Sequence, residues 1–270
     1  MAPPRTANRI DGPPARLTPI LPAPRFPHVV TGQIATVTTM TLLLSRAAAA
    51  ASALAVSAAL VGAASPARAA SVVLDCAGGP VTIAPTLDDV TLTGVCTDVR
   101  IGASNITVVL PATTSLAVGG ANLEITATGP VGTVTYAGGN NSLAAPSAGD
   151  VAVTGGNNEA TFAGAIGRTS VIEGTNSVRA DSIDRLLVTG GNHVVKATRV
   201  GAVTIKGSNA TFSATTAPKV LVRGANNSVK VATLPVLKVI GSNNRAVVTK
   251  GRTKVSVRGA NNVVRVKKRA

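Results

Sequence analysis

From Val99 onward the chain repeats a short unit in which two apolar residues flank one that points the other way. The pairs are Val99/Ile101, Leu116/Val118, Val134/Tyr136, Val151/Val153, Leu186/Val188, Val203/Ile205, Val220/Val222, Leu237/Val239 and Val255/Val257. An atypical pair, Val81/Ile83, precedes them, and a less regular one, Ser170/Ile172, fits the same frame. A second alternating pair follows, as in Val108/Leu110, Phe212/Ala214, Val229/Val231 and Val264/Val266. A third, looser apolar position falls at Val95, Ile166, Ile183, Val200 or Leu234. Period-two alternation in such short runs predicts strands.

Between the first and second pairs stands an asparagine. Ten of them, Asn105, Asn122, Asn140, Asn157, Asn176, Asn192, Asn209, Asn226, Asn243 and Asn261, recur at intervals of 16 to 19 residues, most often 17. From Asn122 onward each has a glycine two residues earlier, and half of the ten are followed by a second Asn. A few short strands per unit cannot bury their apolar faces alone. Stacking each unit on the one before pairs every strand in parallel with its counterpart and closes a continuous core.

The prediction is therefore an all-β chain: a parallel β-helix of about eleven coils between Val81 and Val266, right-handed by the crossover preference of parallel strands. At about 4.8 Å per coil the rod is on the order of 50 Å long. The glycine column predicts a corner with positive φ or close backbone approach. The ten asparagines are expected to form an internal structural ladder, since Asn tolerates the left-handed region and stacked amides bond along a column.

The first seventy residues follow another pattern. Residues 1–39 are rich in Pro and Arg without apolar period and are expected to be disordered. At Met40 a signal peptide is expected to begin, spanning residues 40–70: Arg46 supplies the positive charge, an Ala-, Leu- and Val-rich stretch follows, and Ala67-Arg68-Ala69 supplies the cleavage site. Met40 reads as the start of translation, with residues 1–39 lying upstream of it. Cleavage would leave a single domain, residues 71–270, exported from a bacterial cell with no membrane span. Its only cysteines, Cys76 and Cys96, would meet an oxidising compartment and pair, stapling the first coil.

Aromatics are nearly absent, with no Trp, one Tyr and three Phe. That scarcity argues against sugar-stacking clefts and against base-stacking, sequence-specific nucleic-acid recognition. The candidate acids for a polysaccharide-acting enzyme are Asp88/Asp89 and Asp181/Asp184 with nearby Glu173. Adjacent strand residues face opposite ways, and the second group flanks the irregular coil, so no catalytic role is assigned. No cofactor motif is present. The outward column inside the first pair, Thr82, Arg100, Ala117, Thr135, Ala152, Val171, Leu187, Thr204, Leu221, Lys238 and Ser256, is too irregular for an ice-binding array.

The run Asp75-Cys76, Val81-Thr82-Ile83, Val90-Thr91-Leu92-Thr93-Gly94-Val95-Cys96 and the repeated G-[SA]-N-N-x-V resemble domain-of-unknown-function family 3060 over residues 75–266. The resemblance implies an exported β-helical protein and carries no activity. Two features depart from that pattern: Ala84-Pro85-Thr86-Leu87 replaces G-x-N-N in the first coil, and Leu74-Asp75 before Cys76 lacks the small residue of a lipid-attachment site.

Charge is segregated along the chain. Residues 71–184 carry three basic and ten acidic side chains, net −7, whereas residues 185–270 carry seventeen basic and none acidic, net +17. Lys206, Arg223 and Arg258 are expected to share one column, and Lys196, Lys230 and Arg265 another. These six are the candidate anion-binding residues, and the expected partner is an anionic cell-wall polymer or acidic polysaccharide of the envelope or surroundings. The competing expectation is a passive rod whose cations only block edge-to-edge aggregation.

Overall fold

The computed structural model describes residues 71–85, 87 and 89–270, so the expectations for residues 1–70 and for Asp88 lie outside it. The described chain is all β, with no helix: twenty strands run from Val72–Asp75 to Val263–Arg269, and every pairing is parallel. They stack as a β-solenoid with a period of about 17 residues. On the first face eleven rungs follow one another in register, from Val81 through Val99, Leu116, Val134, Val151, Thr169, Leu186, Val203, Val220 and Leu237 to Val255. On the second face twelve do, from Val72 through Val90, Val108, Ile125 and onward to Ala246 and Val264. The extra rung is Val72–Asp75, which pairs with Val90–Thr93 one turn before the first predicted coil.

The core between these faces is built from small and branched side chains. Val99, Val134, Val153, Ile205 and Leu237 are all fully buried, and alternation sends every second residue of each strand inward. The third inward column runs Cys96, Thr113, Val131, Ala148, Ile166, Ile183 and Val200. Val95 therefore does not belong to it. Cys96 takes that place, and Val95 is 71% exposed.

The register differs from expectation at one coil. Val151 and Val153 pair with Thr169 and Val171, so the inward pair is Thr169/Val171, while Ser170 takes the outward slot assigned above to Val171. A one-residue slip in a strand exchanges its two faces. The hydrogen-bond ladder selects this register because it keeps the coil 18 residues from the one below and 17 from the one above, where Ser170/Ile172 would have required 19 and 16. The cost is a buried hydroxyl: Thr169 Oγ1 has no hydrogen-bond partner.

The corner between the faces contains two asparagine columns. The predicted one lies at the surface: Asn105, Asn122, Asn140, Asn157, Asn192, Asn209, Asn226, Asn243 and Asn261 are exposed and left-handed, with φ between 56° and 61°. In the early coils these amides bond one another, Asn122 Nδ2 donating to Asn105 Oδ1 at 2.8 Å and Asn140 Nδ2 to Asn122 Oδ1 at 3.2 Å. The buried ladder is the next residue along: Asn141, Asn158, Asn176, His193, Asn227 and Asn244 are all within 3% exposure. Asn176 thus belongs to the inner column, and Thr175 occupies the surface position of its coil, where Glu173 and Gly174 supply the positive φ instead.

Each inner asparagine ties two corner groups together. Asn227 Oδ1 accepts the Ala210 N–H at 3.0 Å, and its Nδ2 donates to Gly207 O at 2.9 Å. Backbone turned inward at a corner has no strand partner, so an amide that both accepts and donates satisfies it. The glycine column makes room for this arrangement. A Cβ on Gly241 would lie 1.9 Å from Gly224 O, and φ at Gly241 is 130°, so both expected reasons for glycine operate there.

At the lower end Cys76 and Cys96 are bonded, with Cα atoms 5.0 Å apart and both side chains buried. The Cys76 N–H donates to Thr93 O and the Gly78 N–H to Val95 O, which places the bridge between neighbouring turns. No helix of the described residues is long and apolar enough to cross a membrane.

Candidate anion-binding surface

The solenoid converts sequence spacing into vertical columns, and the six candidate cations fall where that rule puts them. Thr189, Lys206, Arg223, Ile240 and Arg258 are successive members of one column. Arg179, Lys196, Ser213, Lys230, Val247 and Arg265 form the other. All six candidates are exposed. The two columns stand on different faces, on either side of the glycine–asparagine corner, so they form two rows and not one cluster. Lys206 and Arg223 are one coil apart, about 4.8 Å, whereas Lys196 and Lys230 are two coils apart, about 10 Å.

A third basic row accompanies them. Asp98, Ser115, Thr133, Asp150, Arg168, Arg185, Ala202, Lys219, Val236 and Lys254 share a column at the leading edge of the first face. It passes from acid to base halfway up the rod, and the change of sign is marked by an ion pair: Arg168 Nη2 lies 3.0 Å from Asp150 Oδ2. The Arg168 side chain and backbone N–H both bond Asp150, which holds that carboxyl below its usual range. This row was not among the sequence candidates, although the 17-residue spacing of Arg168 and Arg185 was a signal for it.

The ion pairs found among the described residues, Asp150–Arg168, Glu159–Arg179 and Asp181–Arg199, all lie in the middle coils. Above Arg199 no described cation has an acidic partner, and residues 185–270 contain no acid. Exposed pairs contribute little to stability. Here they mark where the field changes sign along the rod.

Between the leading row and the Lys206/Arg223 row lies a shallow open groove of about 710 Å³ on the first face. Its floor is the outward central column, Ala152, Ser170, Leu187, Thr204 and Leu221. A second hollow of about 500 Å³ follows the Lys196/Lys230 row on the other face and is floored by small residues such as Ala197 and Ala214.

The acids weighed for catalysis do not converge. Glu173 stands at the glycine–asparagine corner, Asp181 pairs with Arg199 beyond the second face, and Asp89 Oδ1 accepts the Thr107 N–H at 2.8 Å near the lower end. Among the described residues no group of three or more His, Cys, Asp or Glu is placed to hold a metal. Compared with protein-family models, curated proteins and solved structures, the chain matches none.

Proposed function

We propose that this chain is an exported, non-enzymatic β-solenoid that binds anionic polymers of the cell envelope or its surroundings through its basic upper half. The carrying observation is the stacking of unneutralised cations in columns with the coil repeat. Lys206 and Arg223 succeed one another directly, and Lys196, Lys230 and Arg265 recur at every second coil. A field of one sign along a rigid rod attracts a polyanion lengthwise and does so without bases to read or rings to stack. Export is supported by the Cys76–Cys96 bond, which belongs to an oxidising compartment.

A second reading, a passive envelope rod, is favoured by the interruptions in the rows at Ile240 and Val247. Retention of the protein on heparin and on purified wall polymer across a salt series separates the two. The polymer reading requires steep loss of retention with salt and a loss of at least tenfold when Lys206, Arg223, Lys230 and Arg258 are changed to Ser. Absence of retention at low salt overturns it in favour of the passive rod.

A further inference from the structure

The groove on the first face has a composition that a polyanion does not explain. In the outward central column, Leu187 and Leu221 stand two coils apart with Thr204 between them, and Ala152 and Ser170 continue the strip downward. Both leucines are partly exposed on the side of the sheet turned away from the core. The strip covers four coil steps, about 19 Å along the rod. It is walled by long cationic side chains from both ends of the same strands: Arg185 lies two residues before Leu187, and Arg223 two residues after Leu221. Lys206 stands beside Arg223 one coil below. Arg168, in the same wall as Arg185, is engaged by Asp150, whereas these three cations have no acidic partner among the described residues.

A hydrophilic polymer gains nothing from outward leucines. A bilayer surface requires a protruding patch, and here the apolar strip is recessed between arginine and lysine side chains. The form that matches is narrow, apolar along its length and anionic at its head. We propose that this groove binds a single-chain amphiphile with a phosphate head, its alkyl chain lying along Ala152, Leu187 and Leu221 and its phosphate taken by Arg185 or by the Lys206/Arg223 pair. Guanidinium groups are suited to the head because their paired N–H donors match two phosphate oxygens. The chain is held by removal of apolar surface from water, in proportion to the length laid on the floor. The site shares Lys206 and Arg223 with the polymer reading but differs from it in using the apolar floor, on which the polymer reading does not depend.

The test is titration of the full chain with dodecyl phosphate below its micelle concentration, with butyl phosphate and inorganic phosphate as comparisons. Dodecyl phosphate is expected to bind at least tenfold more tightly than butyl phosphate. Changing Leu187 and Leu221 together to Ser is expected to remove that preference while leaving heparin retention unchanged. Both leucines face outward, so the fold is kept, and unchanged circular dichroism checks this. Changing Arg185, Lys206 and Arg223 to Ser is expected to weaken dodecyl phosphate tenfold or more. Equal affinity for the long and short phosphates, or an unaltered preference in the leucine variant, overturns the proposal without touching the polymer reading. Failure of heparin retention with dodecyl phosphate binding intact overturns the polymer reading alone.

Discussion

Asn244 donates a side-chain N–H to Oδ1 of Asn262, one coil above it, at 3.1 Å, and the same oxygen accepts the Asn244 backbone N–H at 3.0 Å. Asn244 Oδ1 in turn accepts from the Asn227 backbone, and its Nδ2 also donates to Gly224 O at 2.9 Å. Replacing Asn244 by Ala strands the buried Asn227 N–H and the part-buried Gly224 C=O and is expected to cost about 2–6 kcal/mol, since each unsatisfied group costs about 1–3 kcal/mol. Its neighbour Asn243, exposed with φ 59°, carries the other asparagine role. Asn243→Gly should change stability by only a few tenths of a kcal/mol, and Asn243→Ala should cost about 1 kcal/mol through the left-handed backbone. Urea unfolding of the three variants checks the order. Equal losses at the two positions would mean that burial does not separate the columns.

Thr169 sits where neighbouring rungs carry Val151 and Leu186, and its buried hydroxyl has no partner. Val has the same shape without the oxygen. Thr169→Val is expected to stabilise the protein by about 1–2 kcal/mol, the desolvation of an unbonded hydroxyl. Tyr136→Phe should act in the same direction, because the Tyr136 hydroxyl is also buried and unbonded, and burial pushes its pKa upward. A shift of the urea midpoint upward at unchanged slope is the readout.

These positions also show which parts of the fold were legible in the sequence. Alternation and the 17-residue interval were sufficient to predict stacking, the two faces and the columns that hold Lys206, Arg223, Lys196 and Lys230. The depth of each asparagine was not evident, because a left-handed surface residue and the buried residue after it are often both Asn, as at Asn243-Asn244. The intervals of 19 and 16 around Asn176 were the available signal: counted from Asn158 and to His193 they become 18 and 17, which places Asn176 in the inner column. The extra rung at Val72–Asp75 lacks the glycine–asparagine corner that marks the coils from Asn122 onward. The groove was not legible because Leu187 and Leu221 are isolated apolar residues at outward positions 34 apart, and only the stacking brings them into one strip.

His193 occupies the buried ladder at 0% exposure, with Nε2 3.0 Å from Thr189 O and Nδ1 without a partner. Thr189 O can only accept, so Nε2 carries a proton, and a second proton on Nδ1 would be buried without an acceptor. Burial lowers its pKa below the ordinary 6.5, outweighing the Thr189 bond, which raises it. The unfolded chain then binds the proton first as pH falls. Stability from this group is fully present above about pH 6.5 and is lost progressively below it, down to the folded pKa. His193→Asn should flatten that acid limb and restore an amide where Asn158, Asn176 and Asn227 already stand. Midpoints of thermal unfolding between pH 7 and pH 5, compared for the two proteins, test it. Parallel pH profiles would exclude His193 as the source.

The Cys76–Cys96 bond closes a loop with a sequence separation of 20 at the lower end of the rod. Closure of that size restricts the unfolded chain by about 3 kcal/mol. In a solenoid each coil rests on its neighbours alone, so the effect of removing the bond should stay near the end instead of spreading evenly. In the Cys76→Ser/Cys96→Ser double variant, amides of Val72–Asp75 and Val90–Thr93 are expected to exchange with solvent much faster, while those of Val220 and Leu237 keep their protection. Hydrogen exchange resolved by residue separates this from global destabilisation. Uniform acceleration along all the rungs would show that the solenoid unfolds as one cooperative unit, with the bridge acting on the whole.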